Sequence, residues 1–569
     1  MDFETFGGER IVVYCCCLLY NNKFYAFYGK NCVDNLIQYI FKTCSNETII
    51  YAHNLTFDGS LLIERLPKDV KLTNKQTLII KGDIYSLRLE KNNIKIVFKC
   101  SYKLMPMSLG DIGKTIGIEK INMDHSLVGE NNYMDKDLSE KVIKYCKRDV
   151  EITQYFLKSM YASLSDVAIN WRYYTNSISG ISLAVFKKCF KNKGVVLSIE
   201  KSLDIAVRPA YYGGRCEVFG NPFDDDFIFH YDFSGMYTNR LKEEYPCDSP
   251  EFIEKIEKIV DPGFYSISVE SDGFHLPILP YRLDKLVFAN GFFSGVYWYE
   301  EIDLFVKNGG IIKKIHWGYV YKKKKKIFEE FAEYCKYMRS KNKVSKVLWK
   351  TIPNSFIGRM GIKNEYEKTE IMDEKDYDPR QLNVISDKKI NTKYIVRHKT
   401  INISKKKTES NVCYAAITTS KARIVWWKAA IGVISNGGRL LYCDTDSLFV
   451  AYKKDVLNEK HGDVFWDGSK SDTRIKEACF ATSKAYSIKT YENEEKTKIK
   501  GIPKNSISYE DFKKTFYSEK KKEIKTSQFK RSNLNIKIVD VNKVITMGEY
   551  DKREFSENKK TTKPIYINT

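Results

Sequence analysis

Hydrophobic positions follow two rhythms along the chain. Over residues 1 to about 165, short β-rich runs (Ile11 to Leu19, Thr48 to Ala52, Ile84 to Leu89, Ile94 to Phe98) alternate with polar turns. A helical stretch from Leu138 to Tyr161 closes the segment, and the pattern predicts an α/β unit. Residues 210 to 320 are again strand-rich. The segment from Ile327 to Ile352 then places apolar residues at Phe328, Phe331, Tyr334 and Met338, the spacing of one long helix. From Gly361 to about Ser410 the chain turns polar, which predicts an exposed insertion. A tight hairpin is predicted over residues 438–452, and the lysine-dense residues 505–569 read as a small separate subdomain. No unit of solenoid or propeller length repeats.

Composition narrows this picture. At 569 residues the length allows roughly three to four packed units. A chain that is 43% hydrophobic and 14% aromatic is too apolar to be disordered, and 29% charged residues make it too polar for a membrane protein. The net charge of +22 concentrates polyanions near the surface, which makes nucleic acid the first partner to consider. Lysine runs at Lys322 to Lys326, Lys405 to Lys407 and Lys520 to Lys522 suit phosphate contacts or plain solvation. The 14 cysteines contain no C-x-x-C pair, so neither zinc spacing nor a secreted disulfide framework fits, and they read as reduced thiols. The apolar run Ile11 to Tyr20 is about half of what a bilayer span needs, so no membrane partner is expected.

Carboxylates carry the sharpest chemical signal. In RLLYCDTDSLFVAY, Arg439 to Tyr452, two apolar β-rich runs flank Asp444 and Asp446. Like charges two residues apart, partly desolvated by their apolar neighbours, are costly unless divalent cations compensate them. Asp232 ends a second apolar run, FIFHYD, where it could help clamp two metals for in-line phosphoryl transfer. Lys346, Lys350 and Asn354 recur every four residues, with Arg339 seven before Lys346, so the helical reading puts a basic stripe able to grip a triphosphate near one face. In the N-terminal part, Asp2 and Glu4 stand two apart and therefore share one strand face, and Asp58 and Asp149 could complete a four-acid cage.

These motifs, in their order and separation, resemble those of the family B DNA polymerases. DFSGMY (232–237), KTIPNSFIG (350–358) and YCDTDS (442–447) are similar to the family's motifs A, B and C. The resemblance implies that Asp232 and Asp446 ligate two Mg2+ ions, with Mn2+ as a substitute, and that Asp444 supports them. It implies that Tyr237 excludes a ribose 2′-hydroxyl, that Lys350 contacts the incoming dNTP and that Asn354 packs beside it, and the basic stripe adds Arg339 and Lys346 as nucleotide-binding candidates. Tyr211-Tyr212-Gly213-Gly214 and Lys484-Ala485-Tyr486 are similar to the family's DNA-contacting Y-x-G-G and K-x-Y segments, and Lys500 to a further primer-strand lysine. DFET (2–5), HNLTFDG (53–59) and YCKRD (145–149) resemble the three motifs of 3′-5′ proofreading exonucleases. By that likeness Asp2, Glu4, Asp58 and Asp149 bind metals and Tyr145 orients the attacking water. Thr5, Asn54, Phe57, Ser108 and Leu109 would hold the frayed 3′ end.

The implied architecture is multidomain, α/β and α+β. It has an RNase H-like exonuclease domain at 1–165 and a right-hand polymerase domain at 166–569: palm at about 205–325 and 411–500, fingers at about 326–360, insertion at about 361–410, thumb at about 505–569. The compact layout, with room for inserts on both sides of motif B, resembles the protein-primed branch of phages, adenoviruses and linear plasmids. That likeness implies DNA template and primer, dNTPs and a terminal protein as partners, a monomeric enzyme, and a gene on a mitochondrial or cytoplasmic linear plasmid or a virus. An RNA-primed polymerase and a non-catalytic DNA-binding remnant are the rival readings. Four departures from the family pattern stand out. Apolar residues before Asp2 are missing, which points to impaired proofreading. Gly235 replaces a hydroxyl residue, Ile357 replaces a tyrosine, and Pro353 should kink or end its helix.

Overall fold

The computed structural model describes residues 1–7, 11–169, 175–191, 194–363, 365–380, 383–390, 393–401, 409–455, 473–503, 505–518, 522–532, 535–545 and 552–569. The lysine run Lys405 to Lys407 and two of the three lysines of Lys520 to Lys522 lie outside these residues. Lys322, Lys324 and Lys326 of the first run pair with Glu251, Glu244 and Glu329, so that run forms an ion-paired surface.

The N-terminal part is built on two small sheets. Strands Asp2–Phe6, Val12–Tyr20 and Lys23–Tyr28 form an antiparallel meander. The second sheet runs in the order Thr48–Ala52, Ile94–Cys100, Asp83–Lys91, Lys71–Ile80, with only its first pair parallel. The Met1 nitrogen donates to Tyr51 O at 2.9 Å and stitches the two together. Strand alternation sorts the side chains. Phe3, Cys16 and Leu18 face a core with the helix Cys32–Thr43. On the opposite face Cys15 and Cys17, joined by Tyr14 because a bulge at that residue breaks the alternation, meet Val142, Cys146 and Val150 of the helix Lys136–Leu164.

The rest of the chain centres on a seven-stranded antiparallel sheet in the order Glu495–Ile499, Ala485–Thr490, Thr473–Thr482, Phe227–Asp232, Ser447–Tyr452, Arg439–Asp444, Cys216–Val218. A 24-residue helix, Val412–Ser435, is buried along most of its length. It packs Trp426, Ala429, Ala430 and Val433 into a core shared with Phe229, Leu440 and Leu448 of the sheet. A five-stranded sheet adjoins, and its edge strand Tyr566–Asn568 runs parallel to Asn290–Phe292. The C-terminal segment is therefore not a separate body throughout: after the helix Tyr509–Ser518 and the hairpin Lys522–Ser532/Asn535–Ile545, the chain returns to this five-stranded sheet.

Three further expectations are corrected. The long helix is two helices, Glu329–Arg339 and Lys343–Met360, because Asn342 caps the second by accepting from Ser345 N at 2.8 Å. Pro353 does not end that second helix. Trp349, Ile352, Phe356 and Ile357 around it are all buried, and their packing outweighs one lost backbone bond. The polar insertion is less exposed than its composition suggests. Its sheet, Glu365–Asp373, Lys393–Ile401 and Val384–Ile390, docks on the N-terminal part through paired bonds between the Asn74 side chain and the Ile371 backbone (2.6 and 2.7 Å). Ile371 and Ile395 are buried in that part's core.

The helix Lys136–Leu164 and the helices Glu329–Arg339 and Lys343–Met360 also share one core. Ile152, Phe156, Met160 and Leu164 belong to the same buried cluster as Phe331, Leu348, Trp349 and Phe356. Trp349 Nε1 donates to Ser163 Oγ at 2.9 Å, and Ser163 and Ser345 hydroxyls lie 2.8 Å apart.

Candidate active sites

Asp232 sits at the exposed end of the central strand of the seven-stranded sheet, and Ser447 of the neighbouring strand stands opposite it in register. The preceding turn is tight: Thr445 adopts φ 64°, Asp446 N donates to Asp444 O at 2.8 Å, and Phe233 N donates to Asp446 O at 2.7 Å. These bonds bring Asp446 beside Asp232 although the two are 214 residues apart in sequence (446 minus 232). Burial, then the Asp232 charge, pushes the Asp446 carboxyl up to about 6. Burial also raises Asp232, against the pull of Lys350. Asp444 is held differently, with both of its oxygens 2.8 Å from Lys484 Nζ. Burial would lower the Lys484 pKa, but the bond to Asp444 prevails and raises it.

The surrounding residues fall into place around this pair. Lys346, Lys350 and Asn354 occupy one exposed stripe of the helix Lys343–Met360. Arg339 ends the preceding helix, a correction to the single-helix stripe, yet a Cβ on Gly235 would come within 3.6 Å of its guanidinium. Gly235 is left-handed at φ 70° and opens the short helix that carries Tyr237, so a residue without a Cβ suits that position. Tyr237 is half-buried and its hydroxyl is pushed up to about 12, chiefly by burial. Ile357 is 5% exposed and packs in the core.

Gly214 backs directly onto the hairpin turn, since a Cβ there would lie 2.6 Å from Thr445 Cγ2. Tyr211 is half-buried and Gly213 exposed. Tyr486 is buried in an aromatic cluster with Tyr442, Phe449 and Phe480, while Lys500 is exposed and its N–H binds Lys484 O at 3.0 Å.

Two buried supports escaped sequence reasoning. Arg423 pairs bidentately with Glu301 (both bonds 2.7 Å) and donates to Tyr212 O and Gly213 O. Arg215 pairs with Glu217 at 2.7 Å, and its carbonyl accepts from Thr445 N. Arg423 and Glu301 meet only through the fold; Arg215 and Glu217 stand two residues apart, and it is the contact with Thr445 that the fold supplies.

In the N-terminal part, Asp2, Glu4, Asp58 and Asp149 converge. Burial pushes Asp2 up to about 7 and Glu4 up to about 10, with Asp149 adding to both and Asp2 adding to Glu4. Burial, then Asp2, holds Asp58 well above the usual carboxylate range. Asp149 is raised by burial and pulled back by Lys120, which bonds it at 2.5 Å and lies 4.8 Å from the Tyr145 ring centre. Lys120 is a further residue that no motif revealed. Asp58 Oδ1 and Asp149 Oδ1 are buried without a hydrogen-bond partner. Orphaned carboxylate oxygens among mutually repelling acids fit hard divalent cations, which would supply the missing charge.

The other N-terminal candidates take varied places. Thr5 follows a bulge after Glu4. Asn54, left-handed at φ 63°, precedes the helix Leu55–Glu64, and Phe57 is half-buried on its first turn. Ser108 caps the helix Leu109–Ile116 by accepting from Asp111 N, and Leu109 is half-buried.

Residues 41–134 and 119–447 match the family model described as DNA polymerase type B, organellar and viral. The chain belongs to that family. A probable DNA polymerase of Podospora anserina is 24% identical over 504 residues, covering 75% of this chain but 41% of its own length. The DNA-directed DNA polymerase of Enterobacteria phage PRD1 is 25% identical over 523 residues, covering 88% of this chain and 84% of its own. A probable DNA polymerase of Neurospora intermedia is 25% identical over 393 residues, covering 58% of this chain and 40% of its own. The chain thus spans about two fifths of the two fungal relatives. Its fold matches Phi29 DNA polymerase complexed with primer-template DNA at a TM-score of 0.74 and 17% identity, over 96% of this chain and 99% of that one. The chain therefore has the expected multidomain fold, α/β and α+β, of that structure. Among the described residues no helix is long and apolar enough to cross a membrane.

Proposed function

We propose that the chain is a template-directed DNA polymerase with 3′-5′ proofreading. The observation that carries this reading is that Asp446, in the turn that leads into the strand Ser447–Tyr452, stands beside Asp232 at the end of the adjacent strand, each carboxyl raised by burial. Asp232 and Asp446 hold the divalent cations, Mg2+ by preference, and Asp444 with Lys484 braces the turn between them. When bound, such ions activate the primer 3′-oxygen and stabilise the departing pyrophosphate. Lys346 and Lys350 present their ammonium groups to the triphosphate from an exposed helical stripe, with Arg339 nearby. Tyr237 sits under the sugar and rejects a 2′-hydroxyl by contact. In the second site, Asp2, Glu4, Asp58 and Asp149 hold the ions, Tyr145 orients the water, and Lys120 stabilises Asp149 and the phosphate it faces.

Likeness to the phage PRD1 enzyme and to the Phi29 fold supports priming by the hydroxyl of a terminal protein. The two fungal relatives favour a linear plasmid, of mitochondrial or cytoplasmic residence, as the genetic element. Magnesium-dependent extension of a primed template tests polymerisation, and its absence would favour the non-catalytic remnant. Transfer of dAMP to a partner protein distinguishes protein priming from RNA priming.

A further inference from the structure

Outside the four carboxylates, the densest set of ligating atoms is made of sulfur. Cys15 and Cys17 stand two apart on one strand and so share a face. Cys146 meets them from the helix Lys136–Leu164, and all three side chains are buried. Their sulfur atoms lie within 4.8 Å of one another, with Cys15 and Cys17 3.8 Å apart. A tetrahedral site with zinc–sulfur bonds of about 2.3 Å has sulfur–sulfur edges of about 3.8 Å. Cys146 Sγ is also 3.6 Å from Asp2 Oδ2, and strand pairing sets Asp2 opposite Cys17 and Glu4 opposite Cys15. Cys16 points to the other face, toward Cys32.

We propose that Cys15, Cys17 and Cys146 bind a thiophilic d10 cation, Zn2+ or Cd2+, with the Asp2 carboxylate as fourth ligand. The three thiols release their protons to solvent as the cation binds. Hard ions such as Mg2+ favour oxygen, whereas this cluster is three-quarters sulfur, so the two classes of ion occupy adjoining positions and compete only for Asp2. The consequence for degradation rests on the proofreading reading above; the binding itself does not.

The test uses the full chain, stripped with a chelator and titrated with Co2+ in magnesium buffer. A thiolate-to-cobalt charge-transfer band should saturate at stoichiometric metal, yield to Zn2+, disappear in Cys17→Ser and Cys146→Ser, and persist in Cys16→Ser. No band at stoichiometric metal, or an undiminished band in Cys146→Ser, overturns the proposal. Cadmium NMR of the unsubstituted chain provides a check that needs no variant: a shift characteristic of three sulfur ligands supports the site, and one of an oxygen-rich site overturns it. Stoichiometric Zn2+ should also suppress single-strand degradation while leaving primer extension intact. A band with degradation undiminished overturns Asp2 as the fourth ligand. A chain that shows the band but degrades nothing even without Zn2+ counts against proofreading and not against the sulfur site.

Discussion

Lys484 Nζ lies 2.8 Å from each carboxylate oxygen of Asp444. That pairing sets Asp444 apart from the other two acids: its charge is met by Lys484, and Asp232 and Asp446 are left as the pair raised by burial, to which the proposed reading gives the cations. Asp446→Ala should therefore abolish nucleotide addition while single-strand degradation continues, and Asp58→Ala should do the reverse. Primer extension and 3′ degradation measured side by side check this, and equal loss of both activities in either variant would count against two separate sites.

The raised Asp446 carboxyl predicts a pH signature. Its native pKa of about 6 lies above the ordinary 3.8. Between those values the native state holds a proton that the unfolded chain has lost, so its contribution to stability falls as pH rises through this window and levels off above it. Asp446→Asn carries no such titration and should gain roughly 1–2 kcal/mol relative to the parent between pH 4 and pH 7, after allowance for solvent screening. Urea unfolding at the two pH values measures it. The Mg2+ concentration needed for half-maximal extension should correspondingly climb as pH drops below about 6.

Gly214 offers a steric test of the hairpin. Because a Cβ there would meet the Thr445 side chain at 2.6 Å, Gly214→Ala should displace the turn between Asp444 and Asp446. We expect at least a tenfold loss of kcat for extension, on the order of 1.4 kcal/mol or more in the barrier, with degradation unaffected. Unchanged kcat would show that the turn tolerates the shift.

The buried Arg423–Glu301 pair should matter for folding before catalysis. Glu301→Ala strands a guanidinium that is 4% exposed, at a cost of about 3–5 kcal/mol. Denaturant unfolding would register this as a lower midpoint, and a cost below about 1 kcal/mol would mean that the Tyr212 and Gly213 carbonyls hold Arg423 unaided.

The legibility of the sequence was uneven for physical reasons. Alternating or continuous apolar runs marked the strands Thr48–Ala52, Asp83–Lys91 and Ile94–Cys100, as well as the hairpin around Asp444, because each buries a contiguous set of side chains. The helix Val412–Ser435 showed no rhythm because it is buried nearly all round and so has no polar face to alternate with. The structure brings together the acids that the motifs named, whereas Lys120 and Arg423 were not legible, since each finds its partner only after distant segments have packed, and Arg215 reaches the hairpin turn at Thr445 in the same way. The sulfur cluster was hidden for the same reason. Zinc spacing is a local signal, and here a strand supplies two thiols while a helix more than a hundred residues later supplies the third.

The common core of the helices Lys136–Leu164, Glu329–Arg339 and Lys343–Met360, latched by Trp349 and Ser163, bears on how such enzymes can evolve. Recombination that replaced residues 1–165 alone would cut through interlocked aromatic and aliphatic side chains. Shuffling should succeed only when this part and the helices Glu329–Arg339 and Lys343–Met360 travel together, which makes them a single heritable block.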